Sequence, residues 1–205
     1  MRFLCAFLIL ISMLGGRAMA GDLTVSVRDA QGRPVRDAVV TVHPAAGVRG
    51  PVRFSWPLRI SQQDMQFQPY VLVAPVGQAV SFPNLDRVRH HVYSFSRGNR
   101  FEIELYGRDE TRSHTFRSAG VVAIGCNIHD QMLAYVRVVD TPYAAKTGAN
   151  GDVLLQDVPA GAATLRVWHP NLNVRGNETS RQITVAAAAG RQSVSGDFSG
   201  RASVR

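Results

Sequence analysis

The amino-acid sequence predicts an all-β protein, and three observations carry that expectation. Apolar residues recur in short runs with a period of two, as in Leu23-Thr24-Val25-Ser26-Val27 and His91-Val92-Tyr93-Ser94-Phe95. Pro, Gly, Asn and Asp cut those runs at short intervals, and no stretch keeps a 3.6-residue apolar period between helix caps. Runs of the same character also open and close the chain around a long central stretch, so one sandwich is expected to interrupt another.

The first residues stand apart from that pattern. Arg2 precedes an apolar run from Phe3 to Leu14, and Ala18-Met19-Ala20 supplies the small residues of a cleavage site. Residues 1–20 therefore read as a signal peptide cleaved after Ala20, with the mature protein exported to the periplasm. No later segment approaches the roughly 18 consecutive apolar residues of a membrane span, so no span is expected. Cys5 leaves with the signal peptide, which makes Cys126 the single thiol of the mature chain and rules out an internal disulfide. Such a thiol in an oxidising compartment is either buried as a small apolar residue or engaged as a ligand. The net charge of +8 falls with the loss of Arg2 and Arg17, and the chain stays basic. That balance suits acidic partners or plain solvation. No basic run interleaved with aromatics marks a nucleic-acid interface.

After Leu23–Val27 the chain turns at Asp29-Ala30-Gln31-Gly32 and resumes as a strand over 38–42. Related runs return near the end, with strands over 153–155 and 164–168 and a turn at Pro159-Ala160-Gly161. The spacing V-x-D-x-x-G-x-P-V-x-x-A-x-V from Val27 to Val40, with T-x-x-x-G-x-V-x-L-x-x-V-P-A-G from Thr147 to Gly161, is similar to carboxypeptidase-regulatory or transthyretin-like domains. The resemblance implies a small β-sandwich over 21–50 and 141–185, interrupted by an insert over 51–140. Insertion at a surface loop is tolerated when the termini of the insert lie close together. Within the insert, strands are expected over 58–60, 66–67, 70–73, 80–82, 91–95, 121–124 and 133–139. From Ala186 to Arg205, four alanines and a Gly/Ser/Arg-rich end predict a flexible tail.

The chemistry concentrates in Gly125-Cys126-Asn127-Ile128-His129-Asp130-Gln131-Met132. The spacing C-x-x-H-x-x-M brings a thiolate and an imidazole toward one point, with a thioether approaching from a third direction. A His, His, Cys set with a long Met contact is a blue-copper arrangement. Structural zinc favours closed Cys/His sets instead. The second histidine must come from elsewhere, and the chain offers the pair His90 and His91.

These residues carry a second resemblance. Ile60, Met65, Phe67, Pro69, Leu72, Gly77, Val80, Phe82 and Asn84, followed by His90-His91-Val92 and the loop from Cys126 to Met132, resemble the cupredoxins, especially the amicyanin and plastocyanin-like group. The two-part layout and V-R-H-H-V-Y-S-F-S further resemble bacterial methylamine utilisation proteins. The family fold is a Greek-key β-sandwich. By this resemblance Cys126, His129 and Met132 are copper ligands, and the family's H-N-V pattern maps onto His90. Counting the register back from Phe95 makes His91 the ligand instead. The resemblance implies one mononuclear type 1 copper and single-electron transfer with redox partner proteins such as a cytochrome or dehydrogenase. It also implies a docking patch at Asn127 and Ile128 beside His129. Copper delivery without electron transfer, or an interaction module with a vestigial site, are the competing expectations. No enzyme is expected, because four protein ligands leave no open position for a substrate.

Other candidates read as ordinary. His43, His114 and His169 stand near turns or loops and are expected to face solvent or bond locally. Met65 is expected as core filler, and Glu102, Glu104, Asp109 and Glu110 as solvated carboxylates.

Overall fold

A computed structural model describes residues 19–48 and 50–202. The predicted signal peptide lies almost entirely outside the described residues. In chain order the strands are β1 (Ala20–Asp29), β2 (Val39–Pro44), β3 (Ser61–Gln63), β4 (Gln66–Gln68), β5 (Val71–Pro75), β6 (Ala79–Pro83), β7 (His90–Ser94) and β8 (Phe101–Tyr106). They continue as β9 (Thr111–Thr115), β10 (Gly120–Gly125), β11 (Leu133–Val139), β12 (Ala144–Lys146), β13 (Asp152–Pro159), β14 (Gly161–Trp168), β15 (Glu178–Val185) and β16 (Gly190–Gly196). No helix among the described residues is long and apolar enough to cross a membrane.

The strands sort into two packed sets. Strands from the two ends of the chain form a three-stranded sheet β13-β1-β16 and a four-stranded sheet β12-β2-β14-β15. Their alternating apolar residues, among them Leu23, Val25, Val40, Val42, Leu155, Val158, Leu165 and Val167, close on one core. Strands from the middle of the chain form a five-stranded sheet β5-β11-β10-β7-β8, with the pairs β6-β9 and β3-β4. A separate core lies among Ile60, Leu72, Phe82, Val92, Tyr106, Phe116, Val122, Ile124 and Val136, and it contains Cys126 and Met132.

A third cluster joins the two sets. In β11, Ala134, Val136 and Val138 belong to the central core, while Tyr135 and Val139 pack with Val39, Ala144 and Trp168 of the outer set. That split follows from the period of two along a strand. The rings of Tyr135 and Trp168 meet at 5.5 Å between centroids, and Arg137 pairs with Glu178 across the same seam. Phe54 and Trp56 stack at 4.2 Å, and the Trp56 indole N–H donates to the Val73 carbonyl at 2.9 Å.

Three expectations are corrected here. The segment predicted as a flexible tail contains β16, which runs parallel to β1 from Leu23↔Gly190 to Asp29↔Gly196. The alanines before it lie against Gly21, and beyond it the Gly200 N–H donates to the Asn171 carbonyl at 2.9 Å. A parallel edge partner needs backbone groups more than apolar side chains, so composition misreads it. Residues 58–60 form no strand; Arg59 makes an isolated bridge to Ser81. Met65 is no core filler, being 56% exposed at the tip of the β3–β4 hairpin.

Candidate metal centre

The loop Cys126–Met132 connects two antiparallel neighbours, β10 and β11, whose register pairs Gly125 with Leu133. The chain must therefore reverse within seven residues. That return brings the ends of the loop together, so Cys126 (3% exposed) and Met132 (2%) enter the same apolar core. His129 sits at the bend, where its carbonyl accepts the Met132 N–H at 3.0 Å. Asn127 and Ile128 remain exposed, Ile128 by 48%.

The second histidine comes from β7, the neighbour of β10 on its other side. His90 is fully buried. Its Nδ1 lies 3.8 Å from the Cys126 sulfur, and His129 Nδ1 lies 3.7 Å from the same sulfur. The donor atoms of His90, Cys126 and His129 all fall within 4.8 Å of one another. Metal bonds of about 2.0–2.1 Å to nitrogen and about 2.3 Å to sulfur, opened at roughly 110–120°, set nitrogen and sulfur about 3.6–3.8 Å apart. The observed separations match that span and are too long for strong hydrogen bonds. The three donors thus fit one metal ion, and a thiolate with two imidazoles suits copper among others.

His91 points elsewhere. Successive side chains of a strand face opposite sides of the sheet, so His91 lies on the other face from His90. There its Nε2 meets the Glu102 carboxylate at 2.8 Å, and its Nδ1 has no hydrogen-bond partner among the described residues. Glu102 stays 69% exposed, as expected of a solvated carboxylate, while making this contact. His91, Tyr93, Phe95, Arg100, Phe101, Glu102 and Asn127 line a depression of about 260 Å³ beside the loop.

Residues outside the predicted ligand set support His90. The Asp86 carboxylate lies 2.7 Å from His90 Nε2 and accepts the N–H groups of Asp64 at 2.7 Å and Met65 at 3.0 Å. Burial raises its pKa, but the hydrogen bonds from His90, Met65 and Asp64 outweigh that and hold the carboxyl below its ordinary value. Fully buried Asn84 accepts the Asp86 N–H at 2.9 Å and donates to the carbonyls of Val88 and Tyr106 at 2.9 and 3.1 Å. A carboxylate four residues before a histidine was a visible signal in the sequence, though the turn that joins them was not.

No family model matches the chain, and no curated protein matches it. Solved structures do. A purple cupredoxin from Nitrosopumilus maritimus aligns at 22% identity and a TM-score of 0.36, over 40% of this chain and 98% of that one. A copper-containing nitrite reductase from Thermus scotoductus SA-01 aligns at 24% identity and a TM-score of 0.40, over 56% of this chain and 28% of that one. A reduced variant of amicyanin aligns at 20% identity and a TM-score of 0.38, over 50% of this chain and 99% of that one. At such identities and TM-scores these proteins lend the chain neither ligand nor activity.

Proposed function

We propose that this protein is an exported type 1 copper protein that carries single electrons, with His90, Cys126, His129 and Met132 as its ligands. One observation carries the reading: a buried cysteine sulfur at the edge of an apolar core keeps from two imidazole nitrogens the separation that ligands of one metal ion have. A thiolate, two neutral imidazoles and a thioether are a compromise between the preferences of Cu(I) and Cu(II), so bound copper supplies a one-electron couple.

The chain's own residues do the rest. Val92 and Ile124, buried in the same core as Cys126, keep water from the inner side of the donors. Paired strands on both sides of β10 hold Cys126 and His90 in place, so a change of oxidation state requires little rearrangement. His129 is less buried than His90 and borders exposed Asn127 and Ile128. It is the edge through which an electron reaches a redox partner docked over those two residues. The outer sheets hold the strand that leaves the ligand loop, because β11 starts at Leu133 and packs on them through Tyr135 and Val139.

Adding Cu(II) to the metal-free mature protein tests this directly. An intense visible thiolate-to-copper band, absent in Cys126→Ser, and a reversible one-electron couple are expected. A protein that takes up copper without such a band is not a type 1 site. One that releases Cu(I) to an acceptor without a reversible couple is a delivery module.

A further inference from the structure

The turn that holds Asp86 carries a feature that copper ligation does not explain. Asp64 and Met65 are the two central residues of the β3–β4 hairpin, and both adopt left-handed backbone conformations, at φ of 55° and 54°. Such two-residue turns ordinarily use Asn-Gly or Asp-Gly, because a side chain at positive φ is strained. Strain of that kind persists when the surroundings hold it in place, and it clusters at functional sites. Here both N–H groups of the tip end on one carboxylate, that of Asp86, whose side chain is 12% exposed. The third donor to that carboxylate is the fully buried His90 ring.

We propose that Asp86 is the positioning residue of the metal centre, and that the strained hairpin tip exists to aim it. The carboxylate is ionised, since it accepts from two backbone N–H groups, and it therefore takes the His90 proton on Nε2. That choice of tautomer leaves Nδ1 with a free lone pair facing the Cys126 sulfur, before any metal arrives. An ionised partner also makes the imidazole a stronger donor and fixes the ring plane. Asp86 touches neither the sulfur nor the second histidine; it acts through His90. Asparagine at this position has one acceptor oxygen for three donors, so an amide N–H must face either the hairpin tip or the imidazole.

The tautomer assignment stands without copper, whereas the effect on affinity rests on the reading proposed above. In uniformly nitrogen-15-labelled, metal-free protein, ring correlation spectra of His90 are expected to show the proton on Nε2, slowly exchanging. A proton on Nδ1 overturns the proposal even if no variant can be prepared. Asp86→Asn is expected to shift that tautomer and to weaken copper binding by about 10–100-fold. An unchanged tautomer together with unchanged affinity in a folded Asp86→Asn also overturns it. Should the wild type fail to show a cysteine-dependent band, the type 1 reading falls, and the nitrogen-15 measurement still judges Asp86.

Discussion

Gly125 illustrates how closely the residues around the sulfur are packed. A Cβ built there falls 2.8 Å from Tyr93 Cζ and 2.9 Å from its hydroxyl, so the phenol fills the space a side chain before Cys126 would take. Gly125→Ala is expected to cost about 1–3 kcal/mol through overpacking. Pairing it with Tyr93→Leu should recover most of that loss, and strict additivity of the two in urea unfolding counts against the contact. His114 offers a test of a different kind. Expected to face solvent or bond locally, it stacks on Phe101 at 4.2 Å and meets Phe116 edge-on at 5.0 Å. Burial lowers its pKa, with a smaller contribution from Arg117. The unfolded chain then binds the proton more readily than the folded one, so stability is full above about pH 6.5 and declines as pH falls below it. His43 and His169 are lowered by burial as well and add to the slope. His114→Phe keeps the stack and removes the titration, so its unfolding midpoint should fall less steeply between pH 7 and pH 5. Identical slopes for the two proteins would refute the assignment.

At the scale of elements, legibility followed side-chain pattern. The strands β1, β2, β5, β10, β11 and β14 announce themselves by apolar periodicity, and each turns that periodicity into a buried face. Strands held mainly by backbone pairing do not. β9, Thr-Arg-Ser-His-Thr, forms because β6 lies beside it, and β16 forms because β1 does. β16 contributes a single core side chain, Val194, at 9% exposure. Ending the chain after Ala189 strips the edge of β1 of its partner. A lower melting temperature and a greater tendency to associate through that edge are expected. A truncated protein that melts with the full chain and stays monomeric would show that β16 contributes nothing.

For the whole molecule, the seam between the two sets of sheets decides whether the parts behave as one. It holds Val39, Val71, Val73, Tyr135, Val139, Ala144 and Trp168, with the Arg137–Glu178 pair beyond them. Trp168→Ala empties its centre and is expected to cost about 3–5 kcal/mol. In calorimetry the wild type is expected to unfold in one transition and the variant in a broadened or split one, as the central and outer strands uncouple. An unshifted, single transition would mean the seam is a passive contact. The sequence by itself determined the all-β class, the interrupted layout of its apolar runs and the local spacing of Cys126, His129 and Met132. Those depend on residues near one another along the chain, where periodicity and loop length act directly. Tertiary structure alone decided that His90 rather than His91 meets the sulfur and that Gly190–Gly196 join a sheet. Each of those depends on the register between strands far apart in sequence, where a shift of one residue exchanges one face of a strand for the other.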